Sequence, residues 1–490
     1  MGCHLIGIGG TGAKTIEAVT RLCAAGRGPQ ALSVIFLDPD TANGNIERTR
    51  EAFEAYRSCR MPDNGATWGD VGLLRTALSG GEVVTPFEND VAPTLSGWLK
   101  YAALQQQRPE MADLIDVLYT EEEKETPLEK GFRGHPSIGS AVMAGQVTFQ
   151  HTIQFQQLQA AVEQDVGNGE TATIVLVGSI FGGTGAAGFP TVARMLREEF
   201  AAHAGGMVQL GGVLVLPYFS FSPEGQLDEM AAKSSEFLLS TQAALEFYVQ
   251  SEYEQLYDQL YILGDSQQSP VSTFALGAGE QRNDPHFIEL YAALAALDMF
   301  AGGGADAARK VSMLARRDMQ DVAWTDLPEG AEVKAALGQL VRFSVAFTRF
   351  YHPLIKDIRQ HGSSYRAAWY ADLIQKASVS RDDEATTEVL SRLDTVCMGV
   401  LDWAERLHHS SGEQRNMELF DCLTFAPADD ATQFDPARFS GVVRPDTSTD
   451  HTMTAVWDRL CQQQYAPASS GTNGIGVFIR ALYDACGTSA

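Results

Sequence analysis

Two apolar segments, each running directly into a glycine-rich turn and then a helix, limit what this chain can fold into more than any other feature. The first is His4-Leu5-Ile6-Gly7-Ile8, followed by Gly9-Gly10-Thr11-Gly12 and by Ile16, Val19, Thr20 and Cys23 at helical spacing. The second is Thr173-Ile174-Val175-Leu176-Val177, followed by Gly182-Gly183-Thr184-Gly185 and a helix whose apolar face is Phe189, Val192, Ala193, Leu196 and Phe200. A short apolar run bounded by turn signals reads as a buried strand, and strand, turn and helix repeated along a chain make a parallel α/β sheet. Further strands are expected at Val34-Ile35-Phe36-Leu37, which ends in Asp38-Pro39-Asp40, at 212–216 and at 259–263, so the rhythm continues to about residue 265.

At 490 residues and 53.0 kDa the chain is too long for one small core. The expected organisation is an α/β domain over 1–284 carrying the parallel sheet, a central core helix over 285–301, and a carboxy-terminal α+β domain over 302–490. Residues 49–130 form an enlarged segment of mixed helix and loop, whose acidic run at 121–125 reads as solvated surface. Asn283-Asp284-Pro285 reads as a helix start capped by Asn283. The helix that follows, from Phe287, is apolar on nearly all sides and should be buried between the two domains before Gly302-Gly303-Gly304 ends it.

Composition excludes several functions. A formal net charge of −26 repels phosphate backbones and anionic lipid, so no direct nucleic-acid partner is expected. No run approaches the roughly 20 apolar residues of a spanning helix, and no signal peptide is visible, so the expectation is a cytoplasmic protein without membrane insertion. Seven cysteines stand singly, and the ten histidines form no HExxH, which argues for reduced thiols and against a metal centre.

The glycine turns carry the chemistry. Gly7, Gly9 and Gly12 match GxGxxG at a strand-to-helix turn, where backbone N–H groups and the helix dipole can hold a pyrophosphate. The bland reading is a tight turn that needs positive φ and close packing. A second such turn in the same sheet favours the ligand, because both can converge on it at the carboxyl edge. A P-loop fails on spacing: Ala13 separates Gly12 from Lys14, which then reads as a surface or phosphate-neighbouring residue.

Phe181-Gly182-Gly183-Thr184-Gly185-Ala186-Ala187-Gly188-Phe189-Pro190 resembles the tubulin signature GGGTGSG, and the FtsZ version that runs on to a proline. Leu216-Pro217-Tyr218-Phe219-Ser220-Phe221, with Pro223-Glu224-Gly225, is similar to the FtsZ segment KPFSFEG, and Gly134-His135-Pro136-Ser137-Ile138-Gly139 to its GANPEVG loop. With Gly9 to Gly12 as the first glycine loop, four motifs in family order resemble a divergent bacterial tubulin-like protein. Phe181, Ala187 and Asp228 depart from the family pattern.

The resemblance implies GTP or GDP with Mg2+, self-assembly head-to-tail into filaments, and GTPase activity completed by the neighbouring subunit. It implies phosphate contacts from Gly9, Gly10, Thr11 and Gly12, from Gly182, Gly183, Thr184 and Gly185, and from Gly134, Ser137 and Gly139. Glu224 would accept the ribose, Asp38 would flank the site, and Asp265, Asn283 or Phe287 would face guanine. Asp306 or Asp318 would be the catalytic acid, although neither lies in a clean NxDxxD pattern.

Three other readings use the same residues. Asp38, Asn45 and Arg48 after a GxGGxG loop resemble the ThiF or ubiquitin-activating adenylating enzymes, in which Asp38 would bind ATP ribose and Arg48 a phosphate. A nicotinamide oxidoreductase would rest on GxGxxG and Asp38. A nucleotide-binding scaffold without turnover would keep the loops and lack the acid.

Overall fold

The computed structural model describes residues 1–60, 72–85, 94–128, 131–132, 135–145, 148–201, 206–221, 234–266, 268–271, 282–302, 310–316, 320–356, 364–375, 384–409, 416–421, 435–445, 449–462 and 474–487. In chain order the strands are β1 (Gly2–Ile8), β2 (Ala31–Leu37), β3 (Ala77–Val84), β4 (Ala172–Ser179), β5 (Val208–Val215), β6 (Phe219–Phe221), β7 (Gln259–Asp265), β8 (Ser269–Val271) and β9 (Lys310–Arg316). Seven form one sheet in the order β3-β2-β1-β4-β5-β7-β9, while β6 and β8 make a separate pair. Every pairing between these strands is parallel. This is an α/β fold, and the strands expected from apolar runs are all present.

The chain runs outward from β1 to β2 and β3, then returns so that β4 lies on the other side of β1. The β1/β4 boundary is therefore the topological switch point, where the two connecting turns diverge and leave a crevice at the carboxyl edge. Both glycine turns open onto it, because Gly7 and Val177 are register partners.

Two strands lie outside the sequence expectation. β3 contains Gly80 and Gly81 with φ of +78° and +96°, and its pairing with β2 shifts between Val34 and Phe36, so no uninterrupted apolar run marks it. β9 follows the central helix yet pairs with β7, which extends the sheet to residue 316, past the expected limit of 284.

The central helix spans Phe287–Phe300. Its cap is His286, not Asn283: Nδ1 of His286 accepts the Ile288 N–H at 3.2 Å, and Glu289 Oε2 accepts the His286 N–H at 2.8 Å. The reason is that Asn283 spends both backbone groups elsewhere, on Asn45 and Arg48, while residue 286 is the last in extended conformation. The helix lies across β4, β5 and β7 and against the helix Gly9–Ala24. At Gly211 a Cβ would stand 2.3 Å from Met299 Sδ, so glycine there is what lets the helix settle on the sheet.

Beyond β9 the described residues are mainly helical, including Gly330–Ala346, Glu384–His409, Met453–Gln462 and Gly474–Ala485. The helix 384–409 packs on the helices 44–60 and 330–346. Buried side chains from Cys3 to Cys486 form one connected core, and a smaller one gathers Leu95, Leu128, Phe132, Ile138, Val142, Met143 and Ala187 under the enlarged segment. No helix among the described residues is long and apolar enough to cross a membrane. Cys3, Cys23, Cys397, Cys461 and Cys486 carry free thiols.

Candidate functional site

The two glycine turns meet. Gly9 has φ +72°, the left-handed region that favours glycine. A Cβ there would lie 3.4 Å from both Gly185 N and Thr184 Cβ. The helices Gly9–Ala24 and Gly183–Glu199 both begin at this junction, neither with a side-chain cap nor with an acidic residue in its first turn. Their leading N–H groups and dipoles thus converge with no side-chain cap at either N-cap residue, an arrangement suited to an anion.

The glycines divide by role. A Cβ on Gly12 would stand 2.6 Å from the Gly7 carbonyl carbon and 2.8 Å from Val177 O, so Gly12 presses the first helix onto β1 and β4. Gly185 likewise abuts Ser179, with 2.5 Å to its carbonyl oxygen. Gly139 fits between Ala187 and the Gly183 carbonyl, at 2.7 and 2.9 Å, and so seats the helix Pro136–Gly145 on the second turn. Gly10 and Gly182 remain half-exposed at the crevice. Phe181, which departs from the tubulin signature, is buried edge-on against Tyr218 and Phe219, with ring centroids 5.9 and 5.2 Å away.

The loop after β2 forms a third wall. Asp38, Asp40, Asn43 and Asn45 are all buried. Asp38 Oδ1 accepts the Asp40 N–H at 2.9 Å, Asp40 Oδ1 the Ala42 N–H at 3.2 Å, and Asn43 Oδ1 the Asn45 N–H at 2.9 Å. These Asx turns aim two carboxamides at the first glycine loop: a Cβ on Gly10 would be 3.4 Å from Asn45 Nδ2 and 3.8 Å from Asn43 Nδ2. Asn43 was not legible as a site residue, its only signal being Asp and Asn spaced for such turns after an apolar strand. Burial pushes the Asp38 carboxyl up to about 8, partly offset by the Asp40 N–H and reinforced by the Asp40 charge.

Behind the turns lies a buried ionic layer. Lys14 is 4% exposed, not a surface residue, and pairs with Glu289 of the central helix. Tyr218 donates its hydroxyl to the same Glu289 oxygen. Because His286 Nδ1 is an acceptor, its proton sits on Nε2 and is donated to Ser269 Oγ at 3.0 Å, which ties β8 to the helix start. Glu17 receives Arg48 Nε at 2.9 Å and Arg21 Nη2 at 3.5 Å. Burial lowers the Lys14 pKa, and the Glu289 carboxylate opposes that. These five groups comprise three cations and two carboxylates, with Arg21 at the far end of the first helix.

The other expected site residues scatter. Ser137 is exposed and lines a separate cavity of about 500 Å³ with Arg194, Phe247 and Tyr253. Asp265 is buried at the end of β7, and Phe287, 1% exposed, lines a cavity of about 290 Å³ with Leu263, Tyr291 and Arg316. Asn283 alone of the three base candidates sits beside the β2 loop, bonded to Asn45. Gly134, Glu224, Asp306 and Asp318 lie outside the described residues.

Strand order and site together define a doubly wound α/β protein with a glycine-turn crevice at its switch point. No family model matches the sequence, and no curated protein matches it. Among solved structures, CetZ2 from Haloferax volcanii, in a GTPγS-bound protofilament, is 15% identical, with 62% of this chain and 59% of that chain covered and a TM-score of 0.27. A likeness of that size assigns neither family nor ligand.

Lys14→Met should cost about 3–5 kcal/mol of stability by leaving Glu289 buried without its cation. Adding Glu289→Gln, which removes the uncompensated charge and keeps one carbonyl oxygen to accept the His286 N–H while its NH2 can donate to the Tyr218 hydroxyl, should restore part of it. Thermal and denaturant unfolding of both variants checks this, and a loss under about 1 kcal/mol in the single variant would refute a structural pair.

Asp38 sets a pH dependence. Its folded pKa stands above the unfolded value of about 3.9, so between roughly pH 4 and 8 the folded chain holds a proton that the unfolded chain has released. Its contribution to stability is full below pH 4 and declines as pH rises through 8. Asp38→Asn should flatten the stability–pH profile across that window, and an unchanged slope would remove Asp38 as the cause.

Proposed function

We propose that the chain binds a guanine nucleotide in the crevice between the β1 and β4 turns, as a tubulin/FtsZ-like protein. The observation that carries this is the contact of Gly9 with Thr184 and Gly185 at the switch point, where two helix N-termini without side-chain caps converge. The choice of guanine follows the resemblance of the four loop motifs. Mg2+ enters with the phosphates, which supply much of its coordination. The described residues hold no cluster of three or more His, Cys, Asp or Glu able to bind a metal alone. The adenylating alternative needs Arg48 on a phosphate, and two of its nitrogens are instead committed to Glu17 and the Asn283 carbonyl.

Nucleotide extracted from purified protein should be GDP or GTP by chromatography. Gly10→Val should weaken binding by at least ~100-fold, about 2.7 kcal/mol, by blocking approach to the backbone amides. The fold should tolerate it, since a Cβ there meets its neighbours at ordinary contact distances of 3.4 and 3.8 Å. Unchanged affinity, or an extracted adenine nucleotide, would refute the site or the base respectively.

The same reading extends to head-to-tail assembly, with Asp306 or Asp318 acting on the nucleotide of the next subunit. A central helix of 14 residues carries the chain about 21 Å from its start at 1.5 Å per residue, which supports the reading for Asp306, whereas β9 brings the chain back to the carboxyl edge at Arg316, two residues before Asp318. Contact with a neighbour then requires a heterologous, propagating interface. GTP turnover per subunit should rise with protein concentration. Turnover independent of dilution would eliminate the neighbour's role, and none at any concentration would leave a binding scaffold.

A further inference from the structure

A cavity of about 410 Å³ lies toward the amino edge of the sheet, away from the glycine turns, between strands β1, β2 and β3 and the helix Ile153–Gly167. That helix packs on β1, β3 and β4. The face of a parallel sheet beneath a helix is ordinarily apolar. Here it is not: His4, Ser33 and Ser79 are register partners across the three strands, so their side chains stand in one row on one face. Facing them, Gln154, Leu158, Ala161 and Asp165 recur at the spacing of a single helix face and line the same cavity.

His4 distinguishes this row from ordinary packing. It is 5% exposed, and neither ring nitrogen has a hydrogen-bond partner among the described residues; Nε2 approaches Asp165 Oδ2 at 3.5 Å without making one. A buried imidazole left unpaired is costly, which points to a ligand that completes it. Burial lowers the His4 pKa against the pull of Asp165, which favours the neutral ring with one nitrogen open as an acceptor. Asp165 and Glu82 bring two carboxylates to the cavity, no Lys or Arg among the described residues lines it, and the Met1 ammonium is held by Glu170. A net charge of −26 adds to the attraction for a cation. A bare metal ion is poorly matched: no group of three or more His, Cys, Asp or Glu among the described residues could hold one, and Ile35 and Leu158 give the cavity a hydrocarbon lining.

The spacing of the carboxylates sets the length of the cation. A Cβ on Gly2 would fall 1.7 Å from Asp165 Oδ2, which places that carboxylate beside the start of β1, whereas Glu82 lies two strands away between the β3 residues paired with Val34 and Phe36. Two strand spacings of about 4.8 Å, and four residues of about 3.3 Å along the strands, separate the two positions by roughly 16 Å. A charge-assisted hydrogen bond of about 2.8 Å at each end leaves roughly 11 Å. An extended aliphatic chain advances about 1.25 Å per bond, so about nine bonds fill that distance. We propose that this cavity binds a linear aliphatic polyamine of that length, with one terminal ammonium on Asp165 and His4, the other on Glu82, and its methylenes against Leu158 and Ile35.

Titration calorimetry on the full chain at physiological ionic strength tests this with 1,8-diaminooctane, spermidine and 1,4-diaminobutane, and with 1,8-octanediol as the uncharged control. The octane diamine and spermidine have the same number of bonds between their terminal nitrogens, and each should bind at least ~10-fold tighter than the butane diamine, while the diol should not bind. Asp165→Asn should weaken the octane diamine at least ~10-fold. Glu82→Gln, at an exposed position that the fold should tolerate, should erase the preference for length. Equal affinity for the two diamines, or an octane-diamine affinity that Asp165→Asn leaves within about twofold, would reduce the effect to diffuse attraction by an acidic surface and overturn the site. A diol that binds as tightly as the diamine would overturn the cation, and amines that do not bind at all would overturn both.

Discussion

The parallel pairing of β1 with β4 is the constraint from which the rest of the molecule follows, because it sets two strand-to-helix turns side by side at one edge of the sheet. That pairing is only compatible with helices that lie close to the strands. Gly12 and Gly185 permit the approach, each with backbone where a Cβ would need to be. Once the helices are seated, their N-termini have no choice but to face one another across the crevice. Backbone geometry, not a set of reactive side chains, therefore creates the field that an anion would feel.

Putting five ionised groups behind that crevice is expensive, since each loses its hydration and pairing returns only part of the loss. Their arrangement shows what the expense secures. Lys14 and Glu289 join the first helix to the central one, Tyr218 and His286 draw in β6 and β8, and Glu17 with Arg48 joins the first helix to the helix Gly44–Arg60. Apolar packing slides with little penalty, whereas each of these contacts has one geometry. Elements far apart in sequence are thereby fixed in one register around the turns.

How much of this could be read from the sequence depended on whether a signal was local. The strands at residues 4–8, 173–177 and 259–263 were visible because both of their faces are buried, which leaves continuous apolar runs. β3 was not, since its glycines and bulge erase the run, and β9 was hidden by lying on the far side of the central helix. The glycine turns were recognisable from composition, yet which glycines line the crevice and which only allow packing is a question of neighbours. Lys14 shows the limit most clearly: a lysine two residues after a glycine loop reads as exposed or ligand-facing, and its partner Glu289 lies 275 positions away, where no local pattern can announce it. The cap on the central helix failed for the same reason, because Asn283 was already committed to Asn45 and Arg48.

The position of β9 bears on how the chain can be made. With β9 in place, β7 is an interior strand, its backbone bonded on both sides. Until residue 316 has left the ribosome, β7 is the rim of an unfinished sheet, with a row of unanswered N–H and C=O groups. A fragment cut at the end of the expected first domain, near residue 284, would keep that rim permanently. The sheet and the central helix thus mature as one synthetic unit, and a boundary that looks natural in the sequence is one at which the growing chain is open to pairing with another copy of itself.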